Sequence, residues 1–189
     1  PVMEFARTCE SDPELSRDEM IKILDKSEAL LAEITGKKPV GHRAPESVLQ
    51  DFMPEFLAER GYLYSSSMKD CDWAYLWEKD QKELPLVELP NDITMDDFTY
   101  YYFTFSDPAV RCMYPNREVF SNWKQEFDGL ALEGNKIFIL KLHPQMIGRA
   151  SRIGMVGEFI AYMQNHGAWI TTCEDVARYV QKQNGGNRA

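Results

Sequence analysis

His143 stands directly after Lys136-Ile-Phe-Ile-Leu-Lys-Leu142 and directly before Pro144. An unbroken apolar run of this length, closed by a proline, predicts a strand buried on both faces, as in a parallel sheet. The run delivers an imidazole at its carboxyl end, where parallel α/β folds gather their chemistry because the loops there converge. Imidazole titrates near neutral pH, which suits a group that hands a proton to a leaving atom. The alternative is a structural histidine whose bonds are satisfied at the strand end.

A second such event lies upstream, in Pro39-Val-Gly-His-Arg-Ala-Pro45. The guanidinium of Arg43 cannot act as a base, but it can orient a carboxylate or hold it ionised through a bidentate pair. The alternative is a surface arginine beside a turn. His42 precedes it and, on an extended chain, points to the other side. Arg43 and His143 are expected at neighbouring strand tips of one mouth.

Carboxylates gather at Asp70 and Asp72, and again at Asp92, Asp96 and Asp97. An acidic loop can bind a metal or present a base, or it can simply be solvated. Arg149 and Arg152 follow His143 and can pin an anion or lie on a helix surface. Trp73, Trp77 and Trp123 either line a cleft or fill a core. The three histidines form no HxxxH or HExxH pattern, so no histidine-based metal site is expected within this chain. A GxSxG elbow, a P-loop and a Rossmann glycine pattern are likewise absent.

These groups need elements to hold them, and the chain alternates helix and strand. Ser16 and Glu19 form a capping box for a helix striped by Met20, Leu24, Leu31 and Ile34, with Ile23 and Leu30, and ended by Gly36. A short strand around Val40 follows. Asp51 is placed to cap a second helix, with Pro54 in its first turn and Gly61 closing it. Tyr62–Tyr64 and Leu86–Pro90 predict strands, and Tyr100–Phe105 either a strand or a packed loop. Helix returns over Arg117–Leu132. After the 136–142 strand, another helix starts near Ser151, with Met155, Val156, Phe159, Ile160 and Met163 inward and Gly167 at its end. Ala168–Thr171 predicts a last strand, and Thr172 with Asp175 caps a final helix carrying Val176 and Val180. The alternation predicts an α/β fold with a mainly parallel sheet. A full β/α barrel usually needs about 250 residues, so an incomplete one is expected. One domain over 1–182 and a flexible tail over 183–189 are the expected organisation.

The 189 residues, 44% hydrophobic, suffice for a sizeable core. A formal charge of −9 disfavours nucleic acid as a partner, and the longest apolar runs are too short to cross a membrane. Cys9, Cys71, Cys112 and Cys173 form no CxxC pair, which points to a reducing, cytoplasmic setting. The chain opens on Pro1-Val-Met-Glu without an initiator methionine, so a preceding segment is expected.

Taken in order, several segments resemble the polysaccharide deacetylase (NodB-homology) family, in its peptidoglycan deacetylase and allantoinase-like branch. They are Thr35–Pro45, Glu59–Met68, Val87–Pro90 through Asp96-Asp97, Trp123–Asp128, and Leu142-His-Pro144 through Gly148–Arg152. The resemblance implies a deformed β/α barrel and a hydrolase of carbon–nitrogen bonds other than peptide bonds. It implies a divalent metal, zinc by expectation, that polarises an amide carbonyl and activates water. Arg43 matches the arginine that orients the catalytic aspartate, and His143 matches the general acid. Asp70, Asp96, Asp97 and Arg149 match recurrent cleft positions, and Trp73 is taken as a substrate contact. The implied substrate is an N-acetylated glycan or a small cyclic amide.

The family's two metal motifs, an aspartate pair and an HxxxH, should precede the helix at 16–35, and neither is present. Glu4 can align with a residue beside the second histidine, which puts Met3 at the ligand position. Ile93 stands where relatives commonly carry Trp. The metal ligands are therefore expected outside this chain. A fragment of a full enzyme, a half completed by a partner and a non-catalytic binding or assembly subunit all fit, the first being preferred. Raw barrel edges predict association, most simply as a homo-oligomer.

Overall fold

Helix α1 (Arg17–Thr35) starts where the capping box puts it: Ser16 accepts from the Glu19 N–H, and the Glu19 side chain accepts from the Ser16 N–H. The computed structural model describes residues 16–103 and 113–186; Met3, Glu4, Cys9, Phe105, Cys112 and residues 187–189 lie outside them. The chain forms two compact units. One holds the residues up to Met68, Ala74–Leu89 and those from Thr172 on; the other holds Lys69–Trp73 and Pro90–Thr171.

In the first unit, β1 (Gly41–His42), α2 (Met53–Glu59) and β2 (Tyr64–Ser65) form a βαβ step. A hairpin of β3 (Tyr75–Lys79) and β4 (Lys82–Glu88) completes a sheet of order β1-β2-β4-β3. The β1–β2 and β2–β4 pairs are parallel and β3–β4 is antiparallel. Gly41 lies opposite Tyr64. A Cβ on Gly41 would collide with the outer end of the Tyr64 ring, so any other residue here obliges that ring to shift. Helices α2 and α7 (Cys173–Gly186) both pack on β4. That contact accounts for the consecutive burial of Leu86, Val87 and Glu88. Met20, Leu24, Met53, Phe56, Leu57, Tyr62 and Leu86 form this unit's core.

The α1 stripe is only half realised. Met20 and Leu24 are buried, but Leu30, Leu31 and Ile34 are 49%, 46% and 79% exposed, because the core offers partners only at the level of the first two. Asp51 is not a cap. Phe52 takes that place without a side-chain bond, and Pro54, which has no N–H to satisfy, fills the first turn. Strand β3 was not foreseen; its turn residues Asp80 and Gln81 both adopt positive φ, at 49° and 63°. The final helix begins as expected, with the Thr172 hydroxyl donating to Asp175. It takes up the expected tail as far as Gly186.

The second unit is mostly helical: α3 (Asp97–Tyr101), α4 (Asn116–Glu133), α5 (Pro144–Ile147) and α6 (Ala150–Asn165). Its core gathers Tyr100, Val119, Trp123, Phe127, Phe159 and Met163 among others. Trp123 is fully buried and belongs to this core, not to a cleft; its indole N–H donates to Thr94 O at 3.1 Å. Tyr100 and Tyr101 close a short helix, where a strand or loop was expected. Met155, Val156, Phe159 and Met163 face inward from α6 as expected, while Ile160 is 39% exposed.

Residues 136–142 are not a regular strand. They run half-buried throughout, with one parallel bridge, Lys141 to Asp96. Phe138, Leu140 and Leu142 rest on the helical core, one face of an extended chain with a period of two. An apolar run states how much surface is buried; it does not supply a strand to pair with. Residues 168–171 are likewise irregular where a strand was expected.

Candidate active site

The bridge at Lys141 brings two carboxylates beside His143. Lys141 N–H donates to Met95 O at 2.8 Å, and Asp97 N–H donates to Lys141 O at 3.1 Å. The next donor along, the His143 N–H, meets the Asp97 carboxylate at 2.9 and 3.1 Å, so a side chain continues the pairing where backbone stops. The same carboxylate lies 2.6 Å from His143 Nδ1. With a carboxylate as acceptor, Nδ1 carries the hydrogen, and Nε2 is left to exchange a proton. Asp97 is fully buried, whereas the His143 side chain keeps 32% of its exposure. The Phe98 ring centroid lies 5.1 Å from that of His143.

Asp96 fixes the other side of this arrangement. It caps α3 by accepting from the Phe98 N–H at 2.9 Å and pairs with Lys141 Nζ at 2.6 Å. Of the two adjacent buried carboxylates, Asp96 is held chiefly by Lys141 and Asp97 by His143, whose Nδ1 also lies 3.5 Å from Asp96. Asp96 and Asp97 are not solvated loop residues.

The ligand atoms of Asp96, Asp97 and His143 lie within 4.8 Å of one another, a spacing compatible with a divalent cation. Much of their acceptor capacity, however, is already engaged within the chain. Asp97 is taken by three contacts from His143, and Asp96 by Lys141 and Phe98. As arranged, Asp97 and His143 form a hydrogen-bonded acid–histidine dyad with Asp96 alongside, and a cation at this spot would have to compete with those bonds.

Arg43 lies in the first unit, at the carboxyl end of β1. Its Nε donates to Ser66 O at 2.8 Å and its Nη2 to Ser66 Oγ at 2.6 Å. Asp70, Trp73, Arg149 and Arg152 lie in the second unit, and Trp77 in the first. Asp70 and Arg149 are exposed, the latter as the N-cap residue of α6. Trp73 is 51% exposed, with Lys136 Nζ 4.8 Å from its ring centroid. Trp77 is half-buried and donates to Glu88, and Arg152 lies 3.8 Å over the Tyr101 ring.

Two participants escaped the sequence reading. Lys141 sits two positions before His143, on the same side of an extended chain, and that spacing is its signal. Glu88 is a charge inside the apolar Leu86–Leu89 run, which signals a dedicated partner.

No protein-family model matches the chain. It is 27% identical to the peptidoglycan deacetylase-like protein FGM2 of Gibberella zeae, over 88% of this chain and 57% of that protein. It is 24% identical to the peptidoglycan deacetylase of Helicobacter pylori, over 79% and 59%. The chain therefore spans little more than half the length of the curated relatives it matches. Among solved structures, a Mycobacterium smegmatis protein assigned as a polysaccharide deacetylase superposes with a TM-score of 0.80 at 28% identity, over 89% of this chain and 58% of that one. The Puue allantoinase superposes at 0.73 and 23% identity, over 88% and 54%, a likeness of fold. Sequence and backbone likeness together support the resemblance of this chain to the NodB-type polysaccharide deacetylases.

Proposed function

We propose that the chain supplies the proton-donating side of a metal-dependent hydrolase that cleaves carbon–nitrogen bonds other than peptide bonds. The favoured reaction is removal of an acetyl group from an N-acetylated glycan; opening of a small cyclic amide is the variant. One observation carries the reading: a fully buried carboxylate fixes the tautomer of a histidine that remains partly open to solvent. The names of the sequence relatives support the substrate class.

In this reading His143 acts as an imidazolium whose Nε2 proton passes to the departing amine nitrogen when the carbon–nitrogen bond breaks, leaving the neutral Nδ1–H tautomer. Asp97 bonds Nδ1–H before and after the step, stabilises the cation and keeps the ring's orientation. Arg43 orients a carboxylate that serves as base, using N–H groups not spent on Ser66. Trp73, Asp70 and Arg149 contact the substrate. A bound divalent metal, zinc by expectation and held by ligands outside this chain, would supply carbonyl polarisation and an activated water.

The test is an assay of the native gene product with zinc or cobalt against N-acetylated glycans and cyclic amides. His143→Ala is expected to lower turnover by roughly 10²–10⁴. Full rate in that variant would refute the reading.

A further inference from the structure

Glu88 is a carboxylate with no exposed surface, at the carboxyl end of the inner strand β4. Burying a charge is costly unless it is bonded. No lysine or arginine among the described residues pairs with it. Three N–H donors do: Ser67 N at 2.6 Å, Met68 N at 2.9 Å and Trp77 Nε1 at 2.9 Å. Such an acceptor is worth retaining only if the geometry it imposes matters.

What it imposes is the orientation of one peptide group. The Ser66–Ser67 amide is planar, with its N–H and C=O on opposite edges. Glu88 captures the N–H edge, and the C=O edge receives Arg43 Nε at 2.8 Å. The flanking hydroxyls extend the same shelf. Ser66 Oγ accepts from Arg43 Nη2 at 2.6 Å and donates to Leu89 O at 2.7 Å. Ser67 Oγ accepts from the N–H of Ala44, the residue after Arg43, at 3.0 Å.

We infer that Glu88 is a positioning residue for Arg43, acting through the Ser66–Ser67 peptide. The guanidinium has five N–H groups; two are spent on Ser66, and their direction fixes where the other three point. The functional weight of this inference rests on the reading of Arg43 above, but the positioning itself does not.

The two are separable by experiment. Arginine side-chain Nε–H exchange is followed by NMR in the folded chain, with the Arg43 signal assigned by its loss in Arg43→Lys. In Glu88→Gln, the amide oxygen can still accept from Ser67 and Met68, but its NH₂ then confronts the Trp77 indole N–H. Protection of Arg43 Nε–H is expected to fall about tenfold, equivalent to about 1.4 kcal/mol. The sheet amides of Val87 and Leu89 should keep theirs. Adding Trp77→Phe removes the donor conflict and should restore most of the protection. Unchanged Arg43 protection in Glu88→Gln, or no recovery in the double variant, would overturn the inference. Turnover of Arg43→Lys in the native gene product judges the catalytic reading independently: full rate there defeats Arg43 as a functional group and leaves the exchange result standing.

Discussion

Asp97 grips His143 twice, accepting its backbone N–H at 2.9 Å and standing 2.6 Å from its ring Nδ1. One buried carboxylate therefore sets both where the residue sits and which way its imidazole turns. Asp97→Asn keeps the shape but offers a single acceptor oxygen, and its NH₂ faces a donor. We expect the chain to stay folded and lose about 1–3 kcal/mol of stability, read as a lower urea midpoint. Turnover of the native gene product should fall with it, and the downfield Nδ1 proton of His143 should disappear from the NMR spectrum. Persistence of that proton would contradict the pairing.

The acid stability of the first unit should depend on Glu28. Burial pushes its carboxyl upward, but bonds from Arg60 and Tyr62 outweigh this and hold it below the ordinary value of 4.5. Arg60 Nε and Nη2 lie 3.0 and 2.8 Å away, and the Tyr62 hydroxyl 2.9 Å. A carboxyl lower in the folded than in the unfolded chain binds its proton more readily after unfolding. Its stabilisation is thus present above 4.5 and is lost as pH falls through the folded value. Urea midpoints measured across the acid range should slope less steeply in Glu28→Gln than in the parent.

The β3–β4 hairpin is held against local preference. Both turn residues have positive φ, at 49° for Asp80 and 63° for Gln81. The adjoining pairs oppose like charges, Glu78 to Glu83 and Lys79 to Lys82. Gln81→Gly relieves the left-handed strain and should stabilise by about 1 kcal/mol. Calorimetry should show Tm rising by roughly 2–4 °C. A lower Tm would mean that the turn is set by contacts of the Gln81 side chain.

The same hairpin shows where sequence reasoning stopped. Asp80-Gln81 carries none of the glycine or asparagine that normally announces such a turn, so β3 was invisible. The capping box at Ser16 was legible because both halves of its bonding lie within four residues. The tip position of His143 was legible from the run before it, but the run's pairing was not. Pairing depends on a distant neighbour, and among the described residues Asp96 alone forms a bridge to the run. Asp96 and Asp97 could be suspected but not placed. Acidic residues between a proline and an aromatic stretch give no hint that one of them is fully buried. Leu30, Leu31 and Ile34 fit the helical period and are nonetheless exposed, because periodicity identifies a face without saying whether anything rests on it.

Gly41 and Tyr64 are bound in a different sense. The phenol ring occupies the space that any side chain at 41 would need. A side chain at 41 would therefore have to displace that ring, so the two positions are coupled and change at one is felt at the other. Because the two residues face each other across the β1–β2 pair, that coupling reaches the strand end from which Arg43 projects.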